Sequence, residues 1–212
     1  MNIKHLSENI ILVALLTTFT ILYALEVAQA QTNNCLTFIA DANSPLNVRS
    51  NPRVEEGNIV GTLQDDTLVK VVDSRNEWLQ IHAPMRGWVT KNRTTTECSN
   101  TQIQNRIVRL GEQAAKGDRL AANNLITLIP YSDGIATTQV TVALTKWAGT
   151  NPEFLVSVLD KKPQNTRVQA LQMLNLGFNE GSQQQRQRFE TAIREIPDSP
   201  TVQAWKSGVY QP

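Results

Sequence analysis

Apolar and polar positions alternate along the first half of the chain and recur at a longer period along the second. Between residues 35 and 98, Leu46 and Val48 alternate with Asn47 and Arg49. Val69 and Val71 flank Lys70, and Leu79 and Ile81 alternate with Trp78 and Gln80. A period of two is the mark of strands that bury one face. Turn formers separate these runs: Asn43-Ser44-Pro45, Ser50-Asn51-Pro52, Glu56-Gly57-Asn58, Asp65-Asp66, Asp73 to Asn76, and Pro84 to Gly87. Short strands at this spacing predict a small barrel or sandwich.

After Ser99 the period becomes helical. Ile103, Ile107, Leu110 and Ala114 recur on one face, as do Phe189, Ala192, Ile193 and Ile196. Helix starts are marked by Asn151 before Pro152, by Asn165-Thr166, by Ser182 and by Ser199 before Pro200; stops are marked by Gly117, Pro130, Gly149, Pro163 and Gly177. The pattern predicts six or seven short helices, over 102–116, 118–129, 135–149, 152–161, 166–178, 183–196 and 200–208. The segment Phe154 to Leu159, a turn, and then Arg167 to Leu174 is similar to a HEAT-like helical pair, without a second copy. The boundary between strands and helices falls near Ser99-Asn100-Thr101. Because the capped helical segments begin only after Cys98, residues 101–212 are expected to fold independently of residues 35–98.

Composition refines this picture. A chain of 212 residues, 41% hydrophobic and 18% charged, is ordinary globular protein with room for one or two domains. The 20 basic and 19 acidic side chains nearly balance, so the strongly basic footprint of a nucleic-acid binder is missing. Ile10 to Leu25 form a strongly apolar run that follows Lys4 and precedes Ala28-Gln29-Ala30. This is the shape of a signal peptide over residues 1–30, with a mature start near Gln31. The run is short for a span of roughly 20 apolar residues, and Thr17, Thr18 and Thr20 dilute it. Thr32-Asn33-Asn34 before Cys35 does not resemble a lipobox, so no stable membrane anchor is expected after cleavage. The location expected is extracytoplasmic, either periplasmic or secreted. The two cysteines, Cys35 and Cys98, are an even number in a setting that favours oxidation.

The order of blocks is itself specific. Leu46-Asn47-Val48-Arg49-Ser50-Asn51-Pro52, Val60-Gly61-Thr62-Leu63, Val69-Lys70-Val71, Trp78-Leu79-Gln80-Ile81 and Gly87-Trp88-Val89 together resemble the bacterial SH3 (SH3b) family in content and spacing. Asp66 stands at a turn where the family often has glycine, and the flanking cysteines are a feature many members lack. The fold class expected is therefore α+β and multidomain, a small SH3-like β-barrel followed by an all-α helical domain. In a closed barrel the first and last strands come together, so Cys35 and Cys98 are expected to form a disulfide. Closing that loop is worth about 4 kcal/mol in the chain-entropy model.

The resemblance implies a binding module for peptidoglycan stem peptides or another cell-envelope ligand, including an envelope protein. The candidate ligand-binding residues are the outward-facing Asn47, Arg49, Asn51, Trp78 and Trp88, because aromatic faces beside polar side chains suit peptides or sugars. The competing assignment is that the tryptophans complete a thin core and Arg49 braces a turn. Trp147 and Trp205 are expected to pack between helices near Leu144 and Val202, and Gln183 to Gln187 to form a polar helix surface.

Candidate catalytic groups are sparse. His82 is the only histidine after Gln31, a disulfide would consume both thiols, and no G-x-S-x-G elbow is present. Glu190 and Glu195 lie five positions apart, on different helix faces, while Glu55-Glu56 and Asp65-Asp66 fall in predicted loops. No catalytic residue, metal site or cofactor is expected. The chain reads as an exported, non-catalytic adaptor. The alternatives are a cell-wall hydrolase with a carboxylate mechanism in the helical region, and a structural or inhibitory protein that does not bind peptidoglycan.

Overall fold

The structure, a computed structural model, describes residues 35–131 and 134–210. The apolar run, the Ala28-Gln29-Ala30 site and the expected start at Gln31 lie outside the described residues. From Leu36 onward the chain forms one compact unit.

Among the described residues seven strands come first: β1 Leu36–Ile39, β2 Leu46–Arg49, β3 Ile59–Leu63, β4 Leu68–Arg75, β5 Trp78–Ala83, β6 Gly87–Thr90 and β7 Thr94–Glu97. They make an antiparallel sheet in the order β3-β2-β6-β5-β4-β1-β7. The period-two pattern sets which side chains point inward: Leu46 and Val48 of β2, Val69 of β4, Ile81 of β5 and Val89 of β6 meet Ile39 and Leu63 in one apolar cluster. Gly87 opens β6 where that strand presses on β2. A Cβ there would stand 2.4 Å from Val48 Cγ1 and 2.8 Å from the Arg49 carbonyl oxygen, so close strand approach requires glycine.

Two features depart from the sequence pattern. The stretch Asp73 to Asn76, read as a breaker, is strand as far as Arg75, with Asp73 opposite Gln80 and Arg75 opposite Trp78. A register shift between Val71 and Asp73 inserts an unpaired residue, which breaks the alternation without ending the ladder. Strands β1 and β7 were not evident as strands at all. Leu36-Thr37-Phe38-Ile39 is buried on both faces at Phe38 and Ile39, and Thr94-Thr95-Thr96-Glu97 has no apolar residue to alternate.

Among the described residues seven helices follow: α1 Asn100–Ala115, α2 Arg119–Leu128, α3 Gly134–Thr150, α4 Pro152–Leu159, α5 Gln164–Asn179, α6 Gln183–Glu195 and α7 Pro200–Ser207. Ser99 caps α1 through a capping box with Gln102, and the Asp118 carboxylate caps α2 by accepting from the Leu120 and Ala121 amides at 2.9 and 3.0 Å. Asn151 and Ser199 cap α4 and α7, each followed by proline at the first helical position. Asn165 instead lies inside the first turn of α5, which starts directly after Pro163.

Helix α3 is the hub. It packs most extensively on α1, then on α6 and α5. A Cβ on Gly177 of α5 would stand 2.3 Å from Thr145 Oγ1, so α5 approaches α3 with no side chain between them. The HEAT-like reading of α4 with α5 does not survive, because α4 packs chiefly on α6, α3 and α2 while α5 packs chiefly on α3. The apolar runs of α4 and α5 find separate neighbours. Trp147 is fully buried, with its ring 5.6 Å from that of Phe154. Trp205 stacks on Tyr210 at 4.4 Å and meets Phe189 edge-on at 5.0 Å.

The sheet and the helices share a seam. Phe38 of β1 and Leu68 of β4 belong to the helical core, not to the cluster inside the sheet. Asn124 of α2 accepts from the Leu68 amide at 3.1 Å and donates to the Asp66 carbonyl at 2.7 Å. Arg106 of α1, only 7% exposed, donates through Nε to both Glu97 carboxylate oxygens at 3.0 and 3.2 Å. Its Nη1 bonds Asp66, and its guanidinium lies 4.1 Å from the Phe38 ring centroid. Burial works against the Arg106 charge, but the Glu97 and Asp66 carboxylates outweigh it and raise its pKa.

Candidate functional site

Residues opposite one another across an antiparallel ladder share a face of the sheet. Arg49 lies opposite Trp88, Trp88 opposite Gln80, and Trp78 opposite both Thr90 and Arg75. Asn47 lies opposite Thr62, one period along β2 from Arg49. Because Val48 and Val89 point into the core, all of these point outward. Four of the five sequence candidates, Asn47, Arg49, Trp78 and Trp88, are thus gathered on the outer face of β2, β6 and β5. The fifth, Asn51, is exposed in the loop after β2, where its carbonyl accepts from the Arg53 amide at 2.8 Å.

These residues are not equivalent. Trp88 is only 5% exposed, because Arg75 lies over its ring, with the guanidinium 5.2 Å from the centroid. Arg75 is held in turn by Asp73, which accepts from its Nε at 3.2 Å. Trp78 is half-buried and offers the accessible indole surface of the face. Arg49 donates through Nη1 to the Glu55 carbonyl at 3.1 Å and to Asn58 Oδ1 at 2.6 Å. Asn58 is buried and donates on to the Arg53 carbonyl at 2.9 Å. Arg49 therefore organises the loop between β2 and β3, and Asn47 stands exposed beside it.

Gln80, Thr90 and Arg75 complete the face and were not singled out from the sequence. Gln80 was legible from its place between Leu79 and Ile81, whereas Arg75 was hidden inside an apparent turn. The arrangement combines one accessible aromatic plane with donors and acceptors at ladder spacing, which can stack on a planar or apolar group and hydrogen-bond an extended chain.

Four of the six carboxylates considered for catalysis have polar partners in the fold. Glu190 accepts from Arg186 Nε at 2.8 Å, Glu55 from Arg53 Nε at 2.7 Å, and Asp65 from the Asp41 amide at 2.9 Å, while Asp66 belongs to the seam. Glu195 lines a shallow, open depression with Glu153 and Arg188. His82 is exposed near the end of β5. Among the described residues no group of three or more His, Cys, Asp or Glu is arranged to hold a metal ion. Cys35 and Cys98 are joined in a disulfide.

Comparison with known proteins agrees with the geometry of the sheet. Residues 44–94 match the family model described as a bacterial SH3 domain. The helical region has no family match. No curated protein matches the chain.

Proposed function

We propose that this chain, which carries a bacterial SH3 domain over residues 44–94, is an exported, non-catalytic adaptor. Its SH3 face binds peptidoglycan stem peptides or a peptide-like ligand of the cell envelope. A bacterial SH3 domain is consistent with a cell-envelope binding role, and the disulfide is compatible with an extracytoplasmic location. No helix among the described residues is long and apolar enough to cross a membrane. The observation that supports the reading most is the outer face on which Trp78 is accessible while Gln80 and Thr90 share its ladder and Asn47 lies on the neighbouring strand of the same face. An extended peptide has the repeat to match that spacing, and an indole surface contributes much of the energy in small binding sites.

The test is co-sedimentation of the protein with purified sacculi. The protein should pellet with the sacculi, and Trp78→Ala should weaken retention about tenfold, as loss of one aromatic anchor does. Failure to pellet at low salt would remove peptidoglycan as the ligand. Release of soluble muropeptides in the same incubation would show a hydrolase instead.

A further inference from the structure

We infer that Arg75 is the carboxylate-recognising residue of the outer SH3 face, held ready by Trp88 and Asp73, and that the ligand of this face carries a free carboxylate where it meets them. The inference rests on the reading of this face as a peptide-binding surface and adds the charge of the ligand to it.

The first observation is where Arg75 reaches. It belongs to β4, opposite Trp78 of β5, yet its guanidinium lies 5.2 Å from the ring centroid of Trp88 on β6. The sheet order sets β5 between β4 and β6, and two strand spacings amount to about 10 Å. The Arg75 side chain therefore crosses β5 on its outer side, past Trp78 and Gln80. It puts a cation in the middle of the face, beside the accessible indole.

The second observation is what holds Arg75 and what it leaves free. Asp73, two residues back on the same strand, accepts from Arg75 Nε at 3.2 Å, and the Trp88 ring lies beneath the guanidinium. Among the described residues Nη1 and Nη2 have no hydrogen-bond partner, and the side chain is 64% exposed. A guanidinium held through Nε and a ring offers its Nη edge as a fork that matches the two oxygens of a carboxylate. Because the ion pair and the ring already restrict the side chain, little further freedom is lost when a ligand binds.

The third observation is the charge of the surroundings. Arg49, the other outward-facing arginine, gives Nη1 to Asn58 Oδ1 and to the Glu55 carbonyl, so its partners are uncharged and its donors are engaged. Asp73 is the one acidic residue among the ladder partners of β2 to β6, and Arg75 offsets it. The face keeps a net positive charge, which favours an anionic ligand over a cationic one. A peptide with a free carboxylate can place that group on the Arg75 fork, cover Trp78 with a planar or apolar group, and meet Gln80 and Thr90 with its backbone.

The experiment is co-sedimentation of the full chain with native sacculi and with sacculi whose carboxyl groups have been converted to uncharged amides by carbodiimide and ethanolamine. The wild type should bind the amidated sacculi about tenfold more weakly than the native ones. Arg75→Gln should bind native sacculi about tenfold more weakly than the wild type and lose nothing further on amidation. Arg109→Gln, which removes an exposed cation of α1, should keep the wild-type difference. Equal binding of the wild type to both kinds of sacculi would overturn the inference, and that arm needs no variant to fold. A loss on amidation as large in Arg75→Gln as in the wild type would overturn it too, as would an Arg109→Gln that behaves like Arg75→Gln, since overall charge would then explain the effect. A wild type that does not pellet even with native sacculi at low salt overturns the parent reading, and the inference falls with it.

Discussion

Single residues on the outer face divide into those that hold the barrel and those that present a surface. Arg49 bonds a buried asparagine and a loop carbonyl, so its removal leaves Asn58 Oδ1 without that donor. Arg49→Ala is expected to cost about 1–3 kcal/mol in a urea melt. Trp88, buried beneath Arg75, is expected to cost about 3 kcal/mol on replacement by alanine. Trp78→Ala should cost clearly less stability than Trp88→Ala while weakening ligand retention more. Equal losses of stability at the two tryptophans would assign both to packing. Asp66 shows why a family's glycine position was occupied here: its φ of 60° keeps the left-handed turn that glycine usually supplies, while its carboxylate bonds Arg106 and its carbonyl accepts from Asn124.

At the scale of elements, local signals and long-range contacts contribute differently to strands and helices. Helix α1 starts at the reciprocal bonds between Ser99 and Gln102, a signal contained in four consecutive residues. Ser99→Ala is expected to destabilise the protein by about 1 kcal/mol in a thermal or denaturant melt. An effect below a few tenths would mean that packing of Ile103, Ile107 and Leu110 alone sets where the helix begins. Helices α4 and α7 follow the same logic, with Asn151 and Ser199 ahead of proline. The strands that escaped notice lacked such markers. β7 is all polar, β1 is buried on both faces, and the end of β4 is disturbed by a bulge, so in none of them does alternation report the buried side.

For the molecule as a whole, the seam decides how the parts behave. A chain whose helices share their core with Phe38 and Leu68 is expected not to melt as two unrelated domains. A fragment of residues 100–212 should show helical circular dichroism. It should nevertheless unfold roughly 10 °C below the helices of the intact chain, since it loses two apolar contacts and the partners of Arg106 and Asn124. Coincidence of the two melting temperatures would show that the seam contributes nothing and that the helical region stands alone, as its own caps and periodicity suggest.

What the sequence determined by itself was whatever is encoded within a few adjacent residues. Leu46-Asn47-Val48-Arg49, Trp78-Leu79-Gln80-Ile81 and Gly87-Trp88-Val89 carry alternation and turn chemistry locally, and the helices carry caps and a 3.6-residue period. The SH3 segment, the helix positions and the outward placement of Asn47, Arg49, Trp78 and Trp88 were legible for that reason. The tertiary structure alone decided the rest. That Arg75 covers Trp88, that Arg106 bridges Glu97 and Asp66, and that Phe38 lies under Arg106 among the helices depend on contacts between residues 9 to 68 positions apart. Such pairings leave no periodic trace along the chain, because neither partner changes its local conformational preference by meeting the other.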